Sequence, residues 1–201
     1  YTTEDIRKAV QLAILKGMKN ATQTQHLMTP ETVSLFMSYL AEKLINDNKN
    51  IRVFDPACGT GNLLTAVLGK LSHFGEALGS EVDPTLIKLA VLSANLQKQH
   101  IEFFHHDSLG PLLIDPVDLV VSDLPVGYYP DDIRANDFEL KADSGHSYSH
   151  HLFIEQSLQY TKDDGYLIFL VPEFLFESDQ ADQLRQFLKK SAHIIGVIRL
   201  P

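Results

Sequence analysis

The sequence predicts a doubly wound α/β fold: a mostly parallel sheet with helices on both faces, preceded by an N-terminal helical lead-in. Three observations predict it. From Ile51 onward, short apolar runs alternate with stretches of helical period, the signature of βαβ units joined by right-handed crossovers. The run from Val117 to Val121 is rich in β-branched apolar residues, as a strand buried on both faces requires. The first apolar run ends in an acid and passes through a short glycine loop into a helix-like pattern: Val53-Phe-Asp-Pro-Ala-Cys-Gly-Thr-Gly-Asn-Leu-Leu64. A chain of 201 residues is expected to form one domain with a single buried core.

Each element has its own signal. A helix is expected over residues 3–19, with Thr3 as cap, Glu4 and Asp5 in the first turn, and Ile6, Val10, Ile14 and Met18 recurring every four residues. Residues 20–28 are polar and read as a loop, so 1–28 form a lead-in and 29–201 the main domain. A second helix starts at Thr29-Pro30-Glu31, with Thr29 as N-cap and Pro30 first in the helix. Its apolar stripe is Val33, Phe36, Met37, Leu40 and Leu44, and the polar cluster 47–50 ends it. Strands are expected at 51–54, 76–82, 101–104, 117–121, 165–171 and 193–200, and helices at 62–71, 84–97, 151–160 and 180–190. Residues 124–148 show no clear period, and a loop of that length is usually functional or mobile.

Composition narrows the function classes. No apolar run approaches the ~20 residues of a membrane span. The single cysteine, Cys58, leaves no internal disulfide and fits a reducing, cytoplasmic setting. Placed between Ala57 and Gly59, it reads as a small residue that fits the loop and not as a nucleophile. Net charge is −9, and residues 107–143 carry nine acids against Arg134 and Lys141. There is no basic run or stripe to displace counterions from phosphates, which counts against these residues gripping DNA unaided. The chain starts at Tyr1 rather than Met and stops at Leu200-Pro201 straight after an apolar run, so a piece of a longer protein is expected.

The chemistry concentrates at strand ends. An adenosine-bearing cofactor is held at the carboxyl end of the first strand of such a fold. Asp55 selects which one. A pyrophosphate needs backbone N–H donors and would be repelled by a carboxylate in the same turn. A ligand with an amino group and a sulfonium, S-adenosyl-L-methionine, suits it. Leu64 also stands where the dinucleotide fingerprint wants a third glycine. Glu81, twenty residues after Gly61, ends the second strand where an acid accepts from ribose hydroxyls. Asp83 is a weaker candidate that can equally serve as a helix cap. Asp107 ends the third strand and can accept from an adenine amino group. After the fourth strand comes Ser122-Asp-Leu-Pro-Val-Gly-Tyr-Tyr129. An exocyclic amine is a poor nucleophile because its lone pair is delocalised. A site that methylates it needs an acceptor for one N–H, a carbonyl for the other, and a flat side chain to stack on the extruded base. Asp123 can supply the first, Leu124 the second, and Tyr128 or Tyr129 the third, with Pro125 in the same turn. His146, His150 and His151 lack an accompanying cysteine or well-placed carboxylate, so no metal site is expected.

On these motifs the chain resembles the adenine-specific (N6) DNA methyltransferases, especially the modification subunits of type I restriction systems and their stand-alone relatives. The resemblance spans about residues 20–201. Asp55-Pro-Ala-Cys-Gly-Thr-Gly61 is its most specific part, and Met28-Thr29-Pro30, Leu152-Phe-Ile-Glu155, the segment from Asp164-Gly165 to Val171-Pro172, and Ile198-Arg-Leu-Pro201 add to it. It implies a Rossmann-like methyltransferase sheet and S-adenosyl-L-methionine as cofactor. It further implies that Thr29 and adjacent backbone hold the methionine carboxylate. The expected cofactor set is then Thr29, Asp55, Pro56, Ala57, Gly59, Gly61, Asn62, Glu81, Val82, Asp107 and Ser108. The expected catalytic set is Asp123, Leu124, Pro125 and Tyr128. DNA is the acceptor it implies. The acidic loop and the missing aromatic keep RNA or a protein side-chain amide as a second reading, and a non-catalytic cofactor-binding or scaffold module is a third. One departure stands out: the family has Asn or Asp, Pro, Pro and an aromatic, whereas this chain has Asp123, Leu124, Pro125 and Val126.

Overall fold

In a computed structural model, residues 2–18, 28–45, 50–71 and 74–200 are described. Five strands, β1 (Arg52–Asp55), β2 (Glu76–Ser80), β3 (Glu102–Phe104), β4 (Val117–Asp123) and β5 (Thr161–Leu170), form one sheet in the order β3-β2-β1-β4-β5. Every pairing is parallel. The helices are α1 (Thr3–Met18), α2 (Glu31–Ile45), α3 (Asn62–Lys70), α4 (Pro84–Leu96), α5 (Asp132–Ala135), α6 (Ser149–Tyr160) and α7 (Ala181–Ser191), with a 3-10 turn at Glu173–Phe176.

Period-two alternation sorts the strands' side chains onto two layers. Val53, Leu119, Val121 and Ile168 pack with Met37 and Ala41 of α2 and Leu64 and Val67 of α3. Their neighbours Phe54 and Val120 face the other way, with Leu78, toward Tyr160 of α6. Both faces are covered, which is why the strands read as apolar runs and not as alternating ones. Strand order reverses between β1 and β4, and the crevice at their carboxyl ends is where such folds bind ligands.

Four local expectations change. Thr2, not Thr3, caps α1: its hydroxyl accepts from the Asp5 amide (3.1 Å) while the Asp5 carboxylate accepts from the Thr2 amide (2.8 Å), a reciprocal capping box. The face of α1 turned inward is also polar. Arg7 and Gln11 are buried, whereas Val10 and Ile14 are only partly so. Pro30 takes the capping position of α2, since its carbonyl accepts the first helical bond from Ser34 (2.9 Å). Thr29 is thereby freed from capping. Finally, residues 193–200 form no strand; Ile194, Ile195, Val197 and Ile198 are exposed, because a strand exists only through a partner and none is present among the described residues. Residues 20–27 and 47–49, read as polar connections, lie outside the described residues.

The long segment after β4 is ordered by its own hydrogen bonds. Tyr129 and Ser149 amides donate to Ser147 and Gly127 carbonyls (both 2.8 Å), an antiparallel bridge of Tyr128 to Tyr148. The Glu155 carboxylate accepts from the amides of Glu139 (2.9 Å) and Leu140 (2.8 Å). Phe138 and Leu140 are buried against Leu152 and Leu184.

Candidate active site

Asp55 ends β1 and is 1% exposed. Burial pushes its pKa up to about 7, and Asp123 and Glu81 add repulsion against the donated bonds from Ser122 and Ala57. Both donors, the Ser122 hydroxyl (2.8 Å) and the Ala57 amide (3.1 Å), fall on Oδ1. Oδ2 takes no hydrogen bond among the described residues, so the unpaired half of the carboxylate suits a cation. Beyond it the chain turns through Gly59 (φ +54°) and Gly61 (φ +75°) into α3. A Cβ at Gly59 would meet nothing within 4 Å, and one at Gly61 would press on the Ala90 Cβ at 3.3 Å. The first glycine therefore leaves an open approach to backbone, and the second permits a left-handed turn hard against α4. Pro56 is buried and Ala57 half-buried in this turn. Burial raises the Cys58 thiol well above its ordinary value, in keeping with a packing role.

Glu81 stands at the end of β2 and braces this loop. Its Oε2 accepts from the Gly59 amide (2.9 Å) and its Oε1 from the Asp83 amide (2.8 Å). Asp83 caps α4 through the Thr85 (2.7 Å) and Leu86 (2.9 Å) amides. The two acids of one motif thus divide into a loop brace and a helix cap. Val82 between them is 65% exposed. Asp107, after β3, accepts from the Leu109 amide (3.0 Å) and from the Tyr129 hydroxyl. Ser108 is buried, and its hydroxyl donates to the Pro56 carbonyl (2.7 Å). It ties the β3 loop to the glycine loop. Asn62 likewise is turned inward, bonding to Thr29 and Ser34.

Asp123 ends β4 beside the glycine loop. Its Oδ2 accepts from the Thr29 hydroxyl at 2.8 Å. Burial raises its pKa, and the Thr29 bond opposes the rise. Thr29 therefore gives its one hydroxyl proton to the acid. Leu124 is anchored by its buried side chain and by its amide's bond to the Leu170 carbonyl (3.1 Å), while Pro125 and Val126 are exposed. The two tyrosines part company. Tyr129 is buried and bonded to Asp107, whereas Tyr128 is 60% exposed and stacks on Tyr148 with ring centroids 5.0 Å apart. Behind them His150 and His151 are fully buried, and among the described residues none of their ring nitrogens has a hydrogen-bond partner. Burial lowers both to about 4. They serve as aromatic packing, and no metal-ligand cluster of three exists among the described residues.

Sequence reasoning missed Ser122, Arg7 and Tyr148. Ser122 had a readable signal: a hydroxyl beside the terminal acid of an otherwise apolar strand. Arg7 had none, since it sits on a helix whose apolar positions pointed elsewhere.

A parallel sheet that reverses at β1/β4, with a glycine turn, an acid at each of four strand ends and an open backbone approach, defines a class I S-adenosylmethionine-dependent methyltransferase fold. The model of the N-6 DNA methylases matches residues 14–201, and the chain belongs to that family. Among its relatives, YtxK of Bacillus subtilis (strain 168), an uncharacterized protein, is 54% identical over 202 residues, spanning all of this chain and 61% of YtxK. A crystal structure from Listeria monocytogenes, assigned to the class I S-adenosylmethionine-dependent methyltransferases, is 49% identical with a TM-score of 0.89, covering 94% of this chain and 60% of that one. The methyltransferase subunit of a type I restriction-modification system from Streptococcus thermophilus shares the fold at 16% identity and a TM-score of 0.70, over 89% of this chain and 42% of that one. The chain thus spans about 60% of the length of its two nearer relatives named here. S-adenosyl-L-methionine is the expected cofactor, and the unpaired Asp55 Oδ2 beside the open Gly59 backbone fits it.

Proposed function

We propose that this domain methylates an exocyclic amine, adenine N6 in DNA. One observation carries the reading: Asp123, a half-buried carboxylate, ends β4 next to the glycine turn of β1 and is followed by the immobilised Leu124 peptide. When bound, S-adenosylmethionine supplies a methyl carbon on a sulfonium that departs as a neutral thioether. Asp55 would pair with its amino group, Glu81 with its ribose hydroxyls and Asp107 with its adenine amino group. Gly59 leaves the backbone open to the ligand, Gly61 permits the left-handed turn that carries it, and the N-terminal turn of α2 beside Thr29 suits its carboxylate. Asp123 accepts one N–H of the acceptor amine and the Leu124 carbonyl the other, which returns the lone pair to nitrogen. The proton that nitrogen sheds on alkylation has Asp123 as its nearest base. Orientation of this kind can lower a barrier by ~7–11 kcal/mol.

Labelled S-adenosylmethionine incubated with the full-length protein and adenine-containing DNA should deposit label at N6. Asp123→Ala should lower the rate at least ~100-fold while cofactor affinity holds. Cofactor binding with no label in DNA would remove the acceptor assignment. Val126, exposed where the resemblance calls for an aromatic, favours a second reading in which RNA or a protein side-chain amide is the acceptor. Label appearing there instead would establish it, and label in none of the three would identify a non-catalytic binding module. Tyr128 is the flat face available to a base in the first reading.

A further inference from the structure

Three residues, Arg7, Asn62 and Thr29, join the N-terminal helix to the acid at the end of β4. Arg7 of α1 is 3% exposed. Its guanidinium donates to the carboxylates of Glu4 and Glu31 and, through Nη1, to the side-chain oxygen of Asn62 at 3.0 Å. Asn62, first residue of α3, donates through Nδ2 to the Thr29 carbonyl (3.0 Å) and to the Ser34 hydroxyl (3.2 Å). Thr29 donates through its hydroxyl to Asp123 Oδ2 (2.8 Å).

We propose that Arg7, acting through Asn62 and Thr29, is a positioning residue that holds Asp123 with Oδ2 engaged and Oδ1 turned to the acceptor. The proposal rests on the assignment of Asp123 to the acceptor amine.

Each link has a direction dictated by chemistry. A guanidinium only donates. With Arg7 beside it, the Asn62 amide must present its oxygen to α1 and its NH2 to Thr29, so Arg7 removes the choice between the two amide orientations. The NH2 then fixes the Thr29 peptide. Pro30 follows it and narrows the conformations open to Thr29. With its backbone set, Thr29 has its hydroxyl aimed at Asp123. Asp123 needs such a donor. It is half-buried, the Asp55 carboxylate stands close enough for mutual repulsion, and among the described residues neither a cation nor a second donor pairs with it. Joining α1 to α2 would need only the Glu31 bonds. The bond to Asn62 is surplus to that task and is the one that points to the site. Arg7 also lies ahead of residue 14, where the family match begins, so the match assigns it nothing.

The test reads Asp123 directly, without methyl transfer. Full-length protein labelled with 13C at aspartate carboxyls is titrated by NMR, and the Asp123 signal is identified by its loss in Asp123→Asn. Thr29→Val should move the Asp123 midpoint up by about one pH unit, and Thr29→Ser should restore it. Arg7→Lys, which keeps the charge but not the fork, should move it the same way by roughly half as much. In the Thr29→Val background Arg7→Lys should add nothing, because the path is already cut. Asn62→Leu is the second interruption, should either Arg7 variant fail to fold. A midpoint that responds to Thr29 but ignores both Arg7 and Asn62 in folded protein overturns the proposal and leaves Arg7 as a strut between helices. A midpoint that follows all three in a protein that methylates no DNA keeps the network and removes the acceptor assignment instead.

Discussion

Asp55 keeps a carboxylate where burial and two neighbouring acids oppose its charge, and that sets two opposite pH trends. Its folded pKa, about 7, lies above the ordinary 3.8. Between these values the folded chain binds more protons than the unfolded one, so Asp55 costs stability as pH rises toward 7. Cofactor binding runs the other way. A cationic amino group favours the ionised form, so affinity should climb as pH rises through 7. Below 7, binding should release a proton, visible as a dependence of calorimetric heat on the buffer's ionisation enthalpy. Asp55→Asn should abolish both the release and the slope. His150 and His151 give the complementary limb. Their folded pKa values, about 4, lie below 6.5, so the unfolded state takes up protons first and stability falls as pH drops from about 6.5 toward 4. Thermal melts across that range should show a steep loss, and His150→Phe should flatten it.

The glycine turn and the first turn of α4 divide their duties by element. Gly61→Ala should destabilise by about 1–2 kcal/mol, since a left-handed backbone is strained for any Cβ and this Cβ would press on Ala90. Asp83→Ala should cost roughly 0.5–2 kcal/mol as a lost cap and leave cofactor affinity within a few-fold. Glu81→Ala should show the reverse split, because the Gly59 amide loses its acceptor and the loop its brace. Chemical denaturation and calorimetric titration on the same variants separate the two. These elements were also the most legible in the sequence. β1, its turn and α3 are contiguous between Arg52 and Lys70, so their signals lie close together along the chain. The capping of α1 by Thr2 was missed by one position, because Thr2 and Thr3 offer the same hydroxyl and only the reciprocal Asp5 bond distinguishes them. The strand expected at 193–200 failed for a different reason: composition gives β propensity, but pairing makes the strand.

At the scale of the molecule, legibility tracks distance along the chain. The acids at the strand ends could be found because the fold class fixes where strand ends gather. What each acid touches could not. Thr29 and Asp123 are 94 residues apart, Asp55 and Ser122 67, and Arg7 and Asn62 55. No periodicity reports a contact of that kind. Among the described residues β5 is an edge strand of the sheet, and the exposed run of Ile194, Ile195, Val197 and Ile198 has the makeup of an association-prone segment. Expressed as these 201 residues alone, the chain should self-associate at high concentration. Ile195→Lys with Ile198→Lys should suppress this, as read by light scattering.

The hydrogen-bonded hoop from Gly127 to Ser149 has a consequence for recognition. A surface segment that stiffens only when its ligand arrives bears the ordering entropy at that moment, which weakens the complex. Here the Tyr128–Tyr148 bridge and the Glu155 clamp have already met that cost during folding. On the proposed reading, the mouth beside Asp123 is a mould and not a hand, selecting an acceptor by the shape it already has.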